Sequence, residues 1–154
     1  MTKLKQGDKA PDFNLDSEAG KLSLKDFSGQ WLVLYFYPKD FTGGCTAEAC
    51  DFRDVSPDMN AAILGVSPDS VESHQKFKDE HNLNFPLLAD EDNALATAYG
   101  AYGTKKNYGK EYEGIIRSTF IINPEGEVAE ALYNVKATGH AARVADKLGK
   151  LQKG

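Results

Sequence analysis

Three uninterrupted apolar runs stand out from an otherwise mixed chain: WLVLYFY (Trp31 to Tyr37), AAILGVS (Ala61 to Ser67) and the shorter FPLLAD (Phe85 to Asp90). Runs of this length without polar alternation fit strands buried on both faces of a parallel sheet. Pro38 closes the first run. Pro86 interrupts the third and predicts a place near a sheet edge. Between the runs, CTAEACDFRDV from Cys45 reads as a helix that ends before Pro57, because a residue preceding proline leaves the helical region. Pro68-Asp69-Ser70 opens a second helix, SVESHQKFKDEHN, and Asn93 to Tyr99 reads as a short third one. Apolar alternation on either side of Ser17 to Gly20 predicts an N-terminal hairpin. A second hairpin is expected from IIRSTFII (Ile115 to Ile122), the turn Asn123-Pro124-Glu125-Gly126 and EVAEALYNV. His140 to Gln152 closes the chain as an amphipathic helix, with Ala141, Val144, Leu148 and Leu151 on one stripe. Gly100 to Gly114, rich in Gly, Lys and Tyr, reads as a loop.

Strands that alternate with helices imply βαβ units. The expected class is α/β, with a mixed central sheet and helices on both faces. The length, 154 residues, fits a single domain spanning residues 1–154. Sites in such sheets lie beyond the carboxyl ends of the strands, which directs attention to the loop from Pro38 to Gly44. Eighteen basic and 23 acidic residues leave a net charge of −5, without the basic footprint of a nucleic-acid binder. No apolar run reaches the ~20 residues of a membrane span. The opening MTKLKQGDKAPDF lacks the apolar core of a secretory signal, so the expected location is the cytoplasm, where thiols stay reduced.

That setting gives weight to the only two cysteines, Cys45 and Cys50, which follow Gly43-Gly44. An iron–sulfur cluster requires four cysteines, and a zinc site would have to recruit His74, His81 or His140. Each histidine reads instead as a solvent-facing or interfacial side chain, and no metal or cofactor is expected. A thioredoxin-type dithiol has two intervening residues, not four. In an intact helix, residues five apart are separated by ~7.5 Å of rise and lie some 140° around the axis. Their α-carbons are then roughly 8–9 Å apart, beyond the ~7 Å a disulfide spans without backbone movement. Either the turn opens in some state or the bond never forms. The pair gly-gly lowers the cost of opening. Cys45, at the helix start, has the unpaired N–H groups and positive dipole end that favour a thiolate. Cys50 lies farther in, where the alternative is a buried apolar thiol. Spacing alone favours a redox-active pair and leaves inert thiols open.

At these residues the chain resembles the peroxiredoxins, and within them the bacterioferritin-comigratory-protein or PrxQ branch. The motif Pro-x-x-x-Thr-x-x-Cys stands as Pro38-Lys39-Asp40-Phe41-Thr42-Gly43-Gly44-Cys45, continued by TAEACDFRD. GDKAPDFNL (Gly7 to Leu15) and YGKEYEGIIRSTFIINPEG (Tyr108 to Gly126) extend the likeness over nearly the whole chain. The resemblance implies a thioredoxin-like fold with an N-terminal hairpin extension. It implies a peroxidase acting on hydrogen peroxide and alkyl hydroperoxides. Cys45 would be the attacking thiolate, oxidised to a sulfenic acid, and Cys50 the resolving thiol of an intramolecular disulfide. Arg117 would supply charge to the sulfur, Thr42 a hydroxyl bonded to sulfur and peroxide, Pro38 a shield, and Glu48 an anchor for the arginine. The bland readings are an N-cap for Thr42, a strand end for Pro38, a first-turn charge for Glu48 and a surface ion pair for Arg117. Arg117 resists its bland reading because it interrupts an otherwise apolar strand.

The resemblance also implies thioredoxin or a similar dithiol as reductant, since the chain holds no second redox motif. With no C-terminal cysteine arm to exchange, a monomer is expected. The Gly-Gly-Leu-Gly segment and Tyr-Phe tail of sensitive peroxiredoxins are missing, which implies resistance to sulfinic acid formation. A general thiol–disulfide oxidoreductase and a peroxide-responsive redox sensor are the rival functions. One departure stands out: Gly43 occupies the position where the branch commonly has proline. Gly43→Pro is expected to slow amide exchange around Cys45, and unchanged exchange would show that Gly43 does not loosen the helix entry.

Overall fold

The computed structural model describes residues 3–107 and 109–153. The chain forms β1 (Asn14–Ser17), β2 (Gly20–Ser23), β3 (Leu32–Phe36), α1 (Gly43–Val55), β4 (Ala62–Ser67), α2 (Val71–His81) and β5 (Leu87–Ala89). It continues with α3 (Ala94–Ala98), β6 (Tyr102–Asn107), β7 (Lys110–Ile115), β8 (Ser118–Ile122), β9 (Val128–Leu132) and α4 (His140–Lys153). The main sheet runs β2-β1-β5-β4-β3-β8-β9. Its centre, β5-β4-β3, is parallel, and antiparallel strands extend it on both sides.

The continuous apolar runs follow from burial on both faces. Along β3 and into Tyr37, Val33, Tyr35 and Tyr37 face Ala49 and Phe52 of α1, Phe77 of α2 and the Ala141-Val144-Leu148 stripe of α4. Leu32, Leu34 and Phe36 point to the opposite layer, built from α3 and the segment around Ala10 and Phe13. Each side chain of this kind that leaves water contributes about 1.5–3 kcal/mol before entropy is counted. Helices therefore cover both faces, three on one side and the short α3 on the other.

Three expectations change. β5 is not near an edge, because the N-terminal hairpin pairs with it at Ser17↔Leu88 and covers it. The Glu18 carboxylate secures that pairing by accepting the Leu87 amide at 2.6 Å and the Lys78 ammonium at 3.1 Å. Gly100 to Gly114 is not a loop: β6 and β7 form a two-stranded ribbon, and the chain reverses near Gly109, whose φ is +78°. Ile115 to Ile122 is not one strand. Ile115 ends β7, Ser118 begins β8, and Ile116-Arg117 link them.

Gly65 in β4 leaves the space that a large ring takes. A β-carbon there would lie 2.7 Å from Leu87 Cδ2 and 3.0 Å from the Tyr35 ring, both fully buried. Gly65→Ala is therefore expected to destabilise the fold by about 1–3 kcal/mol, the usual range for overpacking, in urea titration. An unchanged midpoint would show that the Tyr35 ring moves aside freely.

Candidate active site

The loop leaving the carboxyl end of β3 turns at Asp40 and Phe41 and enters α1 with Thr42 at the N-cap position. Thr46 N–H donates to the Thr42 carbonyl at 2.8 Å, which fixes Cys45 in the first helical turn. Its thiol is 1% exposed. Antiparallel register then brings the second component. Ser118 pairs with Phe36, so the Ile116-Arg117 link emerges beside the same strand end. The Arg117 guanidinium forks there, with Nη1 donating to Glu48 Oε1 at 2.5 Å and Nη2 to Cys45 Sγ at 3.3 Å. Glu48 lies one helical turn beyond Cys45 and thus on the same face. A β-carbon on Gly44 would sit 3.4 Å from Arg117 Nη2, so the guanidinium passes close over the helix start.

The electrostatics are those of a buried thiol and a buried carboxyl bridged by a half-buried guanidinium. Burial raises the fully enclosed Glu48 carboxyl, and Arg117 offsets this only in part, leaving it at about 7. Ion-pair geometry favours the carboxylate while burial favours the acid, so Glu48 changes charge near neutral pH. Its Oε2 and the Tyr35 hydroxyl are buried with no hydrogen-bond partner among the described residues. Burial works against the Arg117 charge, but Glu48 and Cys45 outweigh it and hold the guanidinium above its ordinary value.

Thr42 is exposed, and its hydroxyl donates to the Lys39 carbonyl at 2.9 Å, not to the sulfur. The oxygen's lone pairs are thereby oriented as acceptors. It caps the helix by position and not through its side chain. Pro38 is half-buried and walls a cleft shared with Lys105 and Tyr112 of the β6–β7 ribbon. Cys50 carries a free thiol, half-buried, in the second turn of the same unbroken helix. The structure therefore brings Cys45, Glu48 and Arg117 into contact, keeps Thr42 and Pro38 on the adjoining loop, and holds Cys50 apart.

The histidines correct the sequence reading. His74 and His140 are buried, not solvent-facing. His140 Nε2 lies 2.7 Å from the Thr119 hydroxyl, and burial, then Arg143 and Arg117, lower its pKa to about 4, so it is neutral at pH 7. Among the described residues no group of three His, Cys, Asp or Glu side chains could hold a metal ion. No helix among them is long and apolar enough to cross a membrane.

Comparison with known proteins gives the family. The AhpC/TSA family model matches residues 6–131. The chain belongs to the AhpC/TSA family, as a peroxiredoxin of the Bcp type. Peroxiredoxin Bcp of Bacillus subtilis is 50% identical over 146 residues, covering 92% of this chain and 93% of that protein. PrxQ of Xylella fastidiosa superposes with a TM-score of 0.90 at 38% identity over 99% of both chains. The bacterioferritin comigratory protein of Xanthomonas campestris, whose alkyl peroxide reduction activity has been studied structurally, gives 0.84 at 44% identity over 90% of each. The fold is accordingly thioredoxin-like and the protein a thiol peroxidase.

Two features of this peroxiredoxin's site were not assigned from the sequence, where the Lys and Tyr residues of Gly100 to Gly114 are unranked candidates for gating substrate. Lys105 enters from the ribbon, and burial first, then Arg117, lower its pKa, while Cys45 opposes them. Asp40, inside the motif but not singled out, is 3% exposed and anchors the loop from below. Tyr37, at the end of an apolar run and three residues before Asp40, is a faint signal of the buried hydroxyl–carboxylate pair they form.

The raised Glu48 fixes the sign of a pH effect. Its ordinary value is 4.5 and its folded value about 7, so between these limits the folded state holds more protons than the unfolded one. Stability then falls as pH rises through this window and levels off above it. Relative to Glu48→Gln, the parent is expected to lose on the order of 1.4 kcal/mol per pH unit across the window. Parallel stability curves for parent and variant would show that Arg117 keeps Glu48 ionised throughout.

Proposed function

We propose that Cys45 attacks the terminal oxygen of hydrogen peroxide or an alkyl hydroperoxide, and that Cys50 resolves the product within the same chain. The observation that supports this best is the Arg117 fork, which places one guanidinium on both the nucleophile and a buried carboxylate. As sulfur bonds to the distal oxygen, the O–O bond breaks and its electron pair leaves on the other oxygen, which departs as water or an alcohol after taking a proton. Cys45 is left as a sulfenic acid. Arg117 stabilises the charge that moves from sulfur to oxygen, Glu48 fixes the guanidinium plane, and the Thr42 oxygen accepts the proton of the incoming hydroperoxide. Pro38 limits water at the thiolate.

The thiolate of Cys50 then attacks the sulfenic sulfur, releasing hydroxide, and the Cys45–Cys50 bond forms once the first turn of α1 has opened. An external dithiol of the thioredoxin type reduces that bond by exchange. The chain works as a single domain and a monomer in the cytoplasm, where such dithiols are maintained.

Intact mass after one equivalent of hydrogen peroxide tests the scheme. The parent is expected to lose two hydrogens, and Cys50→Ser to gain one oxygen on Cys45. Arg117→Met should slow the peroxide step by about 10²-fold or more, the usual cost of a lost donor at developing charge. If neither mass changes within minutes, Cys45 is not activated. Disulfide reduction without peroxide would then favour a general oxidoreductase, and a slow change with few turnovers a sensor.

A further inference from the structure

Beneath the Cys45 loop lies a second polar cluster, separate from the Arg117 fork. His74, fully buried on α2, has Nδ1 2.7 Å from Asp40 Oδ2 and Nε2 2.8 Å from the Leu88 carbonyl. A carbonyl oxygen only accepts, so Nε2 carries a proton. The Asp40 carboxylate also accepts from the Ser73 hydroxyl at 2.8 Å and the Tyr37 hydroxyl at 2.5 Å. With a hydroxyl already donating to each of its two oxygens, Asp40 suits an ionised carboxylate, and the short contact to Nδ1 is then a donation from a protonated nitrogen. The ring is therefore an imidazolium paired with Asp40 inside the protein.

The pair is tied to the reacting loop. The Asp40 amide donates to Asp69 Oδ2 at 2.7 Å, and that oxygen also accepts from the Ser67 hydroxyl at 2.7 Å. The next residue, Phe41, has a φ of +67°, a left-handed conformation that is unfavourable for a bulky L residue. Its ring is 47% exposed and meets Phe77 edge-on at 5.1 Å. A strained, half-solvated residue directly before Thr42 persists only if its neighbours hold it, and Asp40 is the held neighbour.

We propose that His74 is a positioning residue for the peroxidase: as an imidazolium locked between Asp40 and the Leu88 carbonyl, it holds the strained Pro38–Thr42 loop in the form that presents Thr42 and Cys45 to peroxide, and loss of its proton frees the loop to open. The titratable groups facing the ring are Asp40 from the loop, Tyr37 from the end of β3 and Asp69 from the β4–α2 connection. Burial opposes the charged ring, but the hydrogen bond and charge of Asp40, the Leu88 carbonyl and Asp69 outweigh it and raise its pKa above 6.5. A raised value places the stabilisation below about 6.5 in full and removes it as pH climbs through the folded value. Rising pH therefore favours the opened, disulfide-forming state over the peroxide-reactive one.

The proposal rests on the reading of Cys45 and Cys50 as a pair that meets when α1 opens. Its test uses the reduced protein without peroxide, so either reading can fail alone. Nitrogen-15 imidazole spectra at pH 6 should show both His74 nitrogens protonated, with a ring titration midpoint above 6.5. Over the same titration, amide exchange at residues 40–46, corrected for intrinsic rate, should lose protection while β3 keeps its own. In His74→Gln, opening of 40–46 should be roughly tenfold to a hundredfold more frequent, as expected for losing a charge-assisted bond, and independent of pH. A His74 ring already neutral at pH 6, or a midpoint at or below 6.5, overturns the proposal. So does equal loss of protection in 40–46 and β3, which marks a core residue and not a loop anchor. If His74→Gln does not fold, the titration of the parent decides by itself.

Discussion

A single guanidinium shared by a thiol and a buried carboxylate is the constraint to which the rest of this molecule is fitted. Arg117 reaches Cys45 only because β8 lies antiparallel to β3, which returns the chain to the strand end where α1 begins. It reaches Glu48 because one helical turn separates that residue from the cysteine. Low-dielectric surroundings strengthen each attraction, yet they also tax each charge. The tax falls most heavily on Glu48, with its Oε2 unpartnered among the described residues and its pKa pushed to about 7. The partition of Arg117's charge thus varies with conditions. An ionised Glu48 draws it toward the carboxylate, and a protonated one leaves more of it for the sulfur.

What the sequence discloses, and what it conceals, follows the same physics. β3 and β4 are legible because strands buried on both faces admit no polar interruption. The motif from Pro38 to Cys45 is legible because its residue types are dictated by chemistry. The β6–β7 ribbon is not, because its strands pair only with each other and β7 is exposed from Lys110 to Glu113, so no hydrophobic alternation marks it. β5 looks marginal in isolation, with Pro86 beside it, and becomes interior through a hairpin about 70 residues earlier whose Glu18 caps its amide. The break at Ile116-Arg117 is hidden by apolar residues on both sides that serve different strands. His74 and Asp40, 34 positions apart, give no local sign that they meet.

In the proposed scheme the two thiols set opposing demands on α1: an intact first turn to present Cys45, and an opened one to let Cys50 reach it. The helix meets both by being unevenly held. Beyond Cys50, Phe52 is buried against Tyr35 with ring centroids 4.7 Å apart, and Arg53 donates to the His81 carbonyl at 2.6 Å while its own carbonyl accepts from Asn84 at 3.2 Å. Before Cys45, residues 41–44 are exposed, two of them glycines, and the N-cap offers no side-chain bond. Local opening costs least where buried contacts and caps are fewest. The unravelling that the disulfide geometry demands is therefore confined to the glycine-rich end. Under that scheme the half of the helix that packs on α4 and the sheet stays in place and gives the opened turn a template on which to refold once the bond is reduced.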